Sequence, residues 1–314
     1  MAPWEQFEAT FYFNKSIAYD KKTVEQILVN RRSLENQLFI DRLLGLLGVK
    51  GVQQAYPPKI NQDLRNLYRQ IISSPFPSHH KQAVIYYLLR DCRAPGDAIL
   101  QFTRRCYLPE QYEMFIHGLW YLDRLEFRRA LDYLTQPSLI PTFPDEILHV
   151  LSLQNLPKHD DVLAVTYYLT VSPPLKSDKV RRSFFEILCR ASVTEAFYFS
   201  RKHGENARRE FFEQLVWSVI KSEAGKSRAE RALELVGLPL DEQEESWLED
   251  FLLNGKASTL PGAKDTVLMR RLATGRSQNL PSEVESLSGR KVDGISWDDL
   301  RLPRHSASYV KDVF

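Results

Sequence analysis

Residues 118 to 137, GLWYLDRLEFRRALDYLTQP, decide how this chain is expected to fold. Their apolar side chains recur at intervals of three and four positions, at Phe127, Ala130, Leu131 and Leu134. Such spacing places them on one side of an α-helix, where they can pack against a neighbouring helix. The segment therefore predicts a short amphipathic helix that is buried along one face.

The ends of this helix are marked by polar residues and by proline. Asp123 is expected to cap a helix that begins at Arg124, and Glu126 stands where a capping box would place its carboxylate. Pro137 is expected to end the helix. Gly118 lies one turn before the break, and its missing side chain predicts the close approach of a neighbouring helix. We interpret the segment as two short helices joined by a tight turn.

The same periodicity returns along most of the chain, and no stretch alternates apolar and polar residues for long enough to predict a strand. The matching runs begin at Ile40, Leu64, Tyr112, Val162 and Phe212. The run VIYYLL, residues 84–89, is apolar on every side and is predicted to be a helix buried between two layers. These patterns predict an all-α protein, an irregular α-solenoid of stacked antiparallel helix pairs with an extended C-terminal tail.

Composition divides the chain into three parts. Residues 1–22 form an N-terminal extension, residues 23–275 form the predicted solenoid, and residues 276–314 form a tail rich in Ser, Gly and Asp without a core of its own. The sparse apolar residues of the tail are candidates for binding a partner as an extended peptide: Trp297, Leu300, Leu302, Tyr309, Val310 and Phe314. Packing of Trp297 back onto the solenoid is the open alternative.

The bulk composition excludes several classes of protein. With 43% apolar residues, 26% charged residues and a net charge of +2 over 314 residues, the chain is far less basic than a protein that coats nucleic acid. Cys92, Cys106 and Cys189 are scattered, which favours neither a disulfide framework nor a zinc motif. The N-terminus lacks a signal-peptide pattern, and the apolar windows are shorter than the ~20 residues that span a bilayer. We expect a soluble protein of a reducing, intracellular compartment.

Two histidine-containing pairs, His79–His80 and His159–Asp160, resemble the ligands of an HD-type phosphohydrolase, which is an all-helical metalloenzyme. Such a site requires its side chains to converge on one metal. Adjacent His79 and His80 point in different directions at a helix start, however, and Asp160 or Asp161 fits an N-terminal cap. The sequence also has no G-x-S-x-G elbow, P-loop or G-x-G-x-x-G motif. We expect no catalytic residue, no metal and no cofactor, and the HD-like hydrolase is the alternative function.

Adjacent arginines recur and raise the question of nucleic-acid binding. The pairs are Arg31–Arg32, Arg104–Arg105, Arg128–Arg129, Arg181–Arg182, Arg208–Arg209 and Arg270–Arg271. Lined up on one face, they would follow a phosphate backbone. Asp and Glu total 40 against 42 Lys and Arg, so we favour a solvated face of mixed charge. A nucleic-acid-binding helical repeat is the second alternative.

Several segments resemble one known family. The stretch FIHGLWYLDRLEFRRALDYLTQPSLIPTFPDEILHVL, residues 115–151, resembles the helical domain of the ELYS family of nuclear pore assembly proteins. VIYYLLRD at 84–91 and FIDRLLGLLG at 39–48 are also similar, and the likeness extends over about residues 30–250. The packing positions that carry it are Gly118, Trp120, Leu122, Asp123, Phe127, Ala130, Leu131, Leu134 and Pro137. The resemblance implies that Trp120 and Phe127 lock one helix pair together.

The resemblance implies a non-catalytic structural nucleoporin that supports nuclear pore complex assembly and nucleocytoplasmic transport at the nuclear envelope. Family members attach to the Y-shaped outer-ring subcomplex near its short arm. The implied partners are the large propeller–solenoid nucleoporin of that arm and its small propeller neighbour. The first predicted helices begin too early for an amino-terminal β-propeller, so none is expected, and SGRKVDG at 288–294 lacks the Arg-Gly-Arg-Pro core of an AT-hook. It is therefore similar to the short fungal form, for which neither direct DNA binding nor membrane insertion is expected.

Overall fold

The computed structural model describes residues 3–12, 19–92, 94–140, 142–153, 160–223, 225–276, 291–292 and 295–296. The chain divides into two compact units, Met1–Ala191 and Ser192–Phe314. Among the described residues, we find no helix with the length and apolar character needed to span a bilayer.

The described part of the first unit is built from helices. It begins with a 3₁₀ turn at Pro3–Glu5 and continues with α1 (Phe7–Thr10), α2 (Lys21–Ser33), α3 (Phe39–Leu46), α4 (Val52–Ala55), α5 (Asn61–Ser73), α6 (Ser78–Asp91), α7 (Gly96–Cys106), α8 (Glu110–Asp123), α9 (Phe127–Leu134), α10 (Pro144–Leu151), α11 (Asp161–Val171) and α12 (Asp178–Ala191). Neighbours in sequence pack on each other, as α8 does on α9 and α11 does on α12, and α8 also packs on α2, α3 and α6.

The second unit follows the same plan. Its helices are α13 (Val193–Ser200), α14 (Glu205–Lys221), α15 (Lys226–Gly237), α16 (Glu242–Leu253) and α17 (Ala263–Ala273). Two short strands, β1 (Lys291–Val292) and β2 (Ile295–Ser296), pair antiparallel with Lys291 opposite Ser296. These strands lie in the range predicted to be an extended tail. The all-α prediction with packed helix pairs is confirmed, whereas the domain limits of 23 and 275 stay a prediction.

Helix α6 lies at the centre of the first unit. Every residue from Gln82 to Leu89 is buried, so the helix has no solvent-facing side along this stretch of the described structure. This agrees with the interpretation of VIYYLL as a helix enclosed by two layers. The neighbours that enclose it include α3, α5, α7 and α8.

The corner between α8 and α9 differs from its sequence-based prediction. Helix α8 continues through Asp123, Leu125 turns the chain with a φ of 60°, and α9 begins at Phe127. Asp123 therefore does not cap a helix at Arg124; Glu126 occupies the N-cap position, and its carboxylate pairs with Arg129 at 2.8 Å. The predicted cap is wrong because the Asp123 side chain turns inward and serves a different helix.

Gly118 stands where α8 and α9 cross. A Cβ atom at this position would lie 2.5 Å from Leu134 Cγ and 3.4 Å from the backbone oxygen of Ala130. A real side chain would therefore overlap Leu134, and either that side chain or α9 itself would have to move. The glycine, Leu134 and Ala130 are all buried, so the two helices depend on this close approach.

The core of the second unit forms around α14 and α16. Phe212, Leu215, Val216 and Val219 of α14 are fully buried on the face that their spacing predicts. Arg270 of α17 is also buried, and it donates to Glu245 Oε1 from Nε at 2.9 Å and from Nη2 at 2.6 Å. This ion pair joins α16 and α17 inside the unit.

Candidate functional site

The first unit contains a buried polar cluster that joins four of its helices and the residue that follows α4. We define this polar cluster as Asn30, Arg31, Asp41, Tyr56, Tyr87, Asp91, Trp120 and Asp123. Its members come from α2, α3, the residue after α4, α6 and α8. The apolar residues around it make hydrogen bonding within the cluster necessary, since a buried polar group without a partner is costly.

Asp123 is the centre of the polar cluster. Its Oδ1 accepts the amide of Phe39 at 2.7 Å, and its Oδ2 accepts the amide of Ile40 at 3.0 Å and the hydroxyl of Tyr87 at 2.8 Å. Its backbone oxygen accepts Asn30 Nδ2 at 2.9 Å. The residue before α3 is a leucine, whose side chain has no acceptor, so Asp123 caps the first turn of α3 from another helix.

Asp91, at the end of α6, is the second buried carboxylate of the cluster. It accepts the hydroxyl of Tyr56 on one oxygen and Trp120 Nε1, at 3.1 Å, on the other. The guanidinium groups of two arginines also lie over the indole of Trp120, with Arg90 at 5.1 Å and Arg124 at 4.5 Å from the ring centre. Trp120 therefore links α8 to α6 through its polar edge as well as its apolar faces.

Arg31 and Asp41 supply an ion pair at the edge of the cluster. Arg31 donates to both carboxylate oxygens of Asp41, at 2.9 and 2.7 Å, and to the backbone oxygen of Tyr56 at 2.9 Å. Asp41 also accepts the amide of Leu38 at 2.9 Å. Both charged side chains are buried, so the pair joins the end of α2 to the start of α3.

The two carboxyls of the cluster without a cationic partner, Asp91 and Asp123, have raised pKa values. Burial raises the pKa of Asp123 to about 7, against the opposing effect of its bonds from Phe39 and Ile40. Burial also raises the pKa of Asp91. Every oxygen of the two carboxyls accepts a hydrogen bond, so neighbouring donors hold both side chains in place.

An apolar groove in the first unit opens to solvent and is the best candidate for a partner-binding surface. It has a volume of about 350 Å³ and lies between α3, α6, α8 and residues 139–140 and 142–143. Its lining residues are Leu43, Leu46, Leu47, Phe76, His80, Ala83, Val84, Gln111, Tyr112, Phe115, Ile116, Leu139, Ile140, Thr142 and Phe143. We call this surface the apolar groove.

Three apolar side chains that line the groove are exposed to solvent. Leu46 is 56% exposed, Phe76 is 43% exposed and Ile140 is 80% exposed. The groove is also electrically neutral: no Asp, Glu, Lys or Arg stands among its described lining residues. Burial and the neighbouring His79 lower the pKa of His80, so this ring is uncharged at neutral pH.

The predicted family positions fall on the α8–α9 corner. Gly118, Leu122, Asp123, Phe127, Ala130, Leu131 and Leu134 are buried, Trp120 is partly buried, and Pro137 is exposed after α9. The partner-binding candidates Trp297, Leu300, Leu302, Tyr309 and Phe314 lie outside the described residues. Both sets of assignments stay predictions as to function.

The candidate metal ligands do not meet in the described structure. His79 and His80 contact the ring of Tyr112, at centroid distances of 4.9 and 5.9 Å. Asp160 caps α11 by accepting the amide of Val162 at 3.0 Å, and His159 lies outside the described residues. Among the described residues, no three His, Cys, Asp or Glu side chains are grouped to hold a metal ion.

The cysteines and arginines have mainly structural environments. Burial raises the pKa of the Cys92 thiol, and it raises that of Cys106 to about 12, so both are protonated at neutral pH. The solvated-face interpretation suits Arg128, which is exposed. It is wrong for Arg31 and Arg270, because each is buried in an ion pair.

Sequence reasoning missed the apolar groove. Its exposed residues carry one recognisable signal: Phe76 lies between Pro75 and Pro77, and Ile140 precedes Pro141. Prolines end helices, so apolar residues beside them fall outside the periodic faces that build a core. An apolar residue held in such a turn is a candidate for an exposed contact.

Comparison with known proteins identifies a family model and a relative that this chain matches. A family model described as ELYS, nuclear pore complex assembly, matches residues 37–255. A protein of Schizosaccharomyces pombe described as "Uncharacterized protein ely5" is 26% identical over 244 residues, which cover 77% of each chain. The matched residues include the whole apolar groove and, within the polar cluster, Asp41, Tyr56, Tyr87, Asp91, Trp120 and Asp123.

Proposed function

Since this chain belongs to the ELYS family of nuclear pore complex assembly proteins, we propose that it is a non-catalytic structural nucleoporin of the Y-shaped outer-ring subcomplex. The observation that supports this proposal is the extent of the family match. Residues 37–255 span every helix from α3 to α16, so the likeness concerns the packed helical body rather than one motif.

The proposed partners are the large propeller–solenoid nucleoporin of the short arm and its small propeller neighbour. The proposed location is the nuclear envelope, at the pore. The chain would act as a scaffold and not as a catalyst. Its buried polar cluster holds several helices in a fixed arrangement, and its exposed apolar surface can contact a partner protein. Nucleocytoplasmic transport, including that of mRNA, would then depend on it indirectly through the integrity of the ring.

Co-purification tests the proposal directly. The chain is tagged at its own locus and isolated from nuclear extract at low and moderate salt, with an unrelated tagged nuclear protein as the control. We expect the outer-ring nucleoporins to be enriched with this chain and not with the control, and the tagged chain to concentrate at the nuclear rim. Absence of the outer-ring subunits at both salt concentrations would refute the assignment.

The non-catalytic part of the proposal needs its own test. Elemental analysis of the purified chain is expected to find no transition metal in stoichiometric amount. One metal ion per chain, lost when His79 and His80 are replaced together by alanine, would instead support the HD-like hydrolase. Binding of the chain to duplex DNA that weakens steeply with salt would support the nucleic-acid alternative.

A further inference from the structure

The exposed apolar residues of the groove come from separate elements and line one concavity. Leu46 lies in the last turn of α3, Phe76 precedes α6, and Ile140 follows α9. Scattered apolar residues are ordinary on a protein surface. Apolar side chains that surround a shared concave surface are instead typical of a binding site. The groove therefore has the form of a surface that another molecule covers.

The charge of the groove restricts what can cover it. Its described lining residues carry no formal charge, and His80 is neutral near pH 7 because burial lowers its pKa. A charged side chain placed here would lose its hydration without gaining an opposite charge. The complementary surface is accordingly an uncharged one, with aliphatic or aromatic side chains.

The backbone of the groove restricts the occupant further. Helices α3, α6 and α8 use their interior N–H and C=O groups in their own hydrogen bonds. An extended peptide that binds as an added β-strand gains its affinity from an open strand edge, which these helices do not offer. A helical occupant satisfies its own backbone and presents only side chains, as in helix-in-groove recognition. The volume of about 350 Å³ suits the side chains of one such helix face rather than a folded domain.

We propose that the apolar groove binds one face of an amphipathic helix from a partner protein. The helix contributes uncharged apolar side chains spaced at i, i+3 or i+4, and i+7, and they contact Leu46, Phe76 and Ile140. The proposal rests on the proposed function only for the identity of the protein that carries the helix, which is then an outer-ring nucleoporin.

The first experiment locates the contact in the assembled pore. p-Benzoylphenylalanine is incorporated at position 140 of the full chain, and at position 233 in a matched control, since Leu233 of α15 is also exposed, at 54%. After irradiation of intact pores, we expect position 140 to crosslink to a helical segment with the apolar spacing above. A crosslink to a second copy of this chain, to an extended or charged segment, or to nothing would overturn the proposal.

The second experiment measures the contribution of the groove to binding. Ile140→Asp and Leu46→Asp are each expected to reduce recovery of outer-ring nucleoporins by about tenfold or more, since each places a charge in an apolar contact. Leu233→Asp is expected to match the unsubstituted chain. Unchanged thermal unfolding of the two groove variants shows that they fold.

The two proposals fail in different ways. If the unsubstituted chain recovers no outer-ring nucleoporin, the proposed function is wrong. If the unsubstituted chain recovers them and both groove variants recover them equally well, the function stands and the groove proposal is overturned.

Discussion

Besides the Arg31–Asp41 ion pair, the first unit buries two carboxyls that have only neutral donors, whereas Glu244 and Glu245 of the second unit are buried against arginines. In the first unit, Asp123 and Asp91 are hydrogen-bonded by amides, tyrosine hydroxyls and an indole, all of them neutral donors. In the second unit, Glu244 accepts from Arg201 and Arg208, and Glu245 accepts from Arg270. Burial raises the pKa of Asp123 and Asp91, whereas the bonds from Arg201 and Arg208 outweigh burial and lower that of Glu244.

A buried carboxylate in this all-α fold is thus stabilised in two ways, by neutral hydrogen-bond donors or by arginine. A carboxylate with neutral donors remains close to protonation, and its helix contacts depend on pH near neutrality. A carboxylate paired with arginine stays ionised down to low pH, but it needs its partner at all times. The two units should therefore respond differently to substitution and to acid.

The largest expected effect is the loss of the buried ion pair of the second unit. Arg270→Ala leaves Glu245 buried without its main partner and removes donors to the backbone oxygens of Val236 and Leu238. We expect the free energy of unfolding to fall by about 3–5 kcal/mol. Urea unfolding followed by circular dichroism measures it.

The control for this substitution is Lys226→Ala, which removes an exposed pair with Glu230 and should change stability by less than about 0.5 kcal/mol. Equal losses from the two variants would contradict the importance assigned to burial of the pair.

The next largest effect belongs to the first unit. Asp123→Ala leaves the amides of Phe39 and Ile40 and the hydroxyl of Tyr87 without their acceptor. We expect a loss of about 2–4 kcal/mol, with faster amide hydrogen exchange in the first turn of α3. Asp123→Asn keeps one acceptor and should lose less. Exchange that is unchanged in α3 would show that this helix does not need Asp123.

A third substitution separates packing from hydrogen bonding in the first unit. Gly118→Ala places a methyl group against Leu134 and in contact with the backbone oxygen of Ala130, but it removes no side-chain hydrogen bond. We expect a loss of about 1–3 kcal/mol. A second change, Leu134→Ala, should cost less in the Gly118→Ala background than alone, because it relieves the overlap. Strict additivity in this double-mutant cycle would contradict the close approach of α8 and α9.

The smallest effect is the pH dependence that distinguishes the two units. The folded-state pKa of Asp123, about 7, lies above its unfolded value of about 4. The contribution of this carboxyl to stability is therefore complete below about pH 4 and is lost as the pH rises through about 7. Between pH 6 and pH 8 the loss should be about 1.4 kcal/mol.

The measurement compares urea unfolding of the unsubstituted chain and of Asp123→Asn at both pH values, so that other titrating groups cancel. Glu244 has the opposite sign: its pKa is lowered, so its contribution is present above about pH 4.5 and is lost as the pH falls further. Identical pH profiles for the unsubstituted chain and Asp123→Asn would contradict the raised pKa of Asp123.

The sequence predicted those features that depend on local periodicity. The buried α6 helix and the apolar face of α9 follow from residues within a few turns of each other. The role of Asp123 did not follow from the sequence, because the run D-R-L-E matches the local pattern of a helix cap. The Asp123 carboxylate instead accepts hydrogen bonds from amides that lie 84 and 83 positions earlier in the chain. The exposure of Ile140 and Phe76 also depends on how distant helices meet, which a periodic pattern does not encode.

Because Asp123 of α8 caps the first turn of α3, this turn can be completed only late in translation. Phe39 is synthesised 84 residues before Asp123, and at 5–20 residues per second this interval is roughly 4–17 s. During that time the first amides of α3 must bond to water, and the helix is free to fray. The nascent chain thus completes this part of its structure only after α8 has left the ribosome, and a nascent-chain chaperone has several seconds in which to bind it.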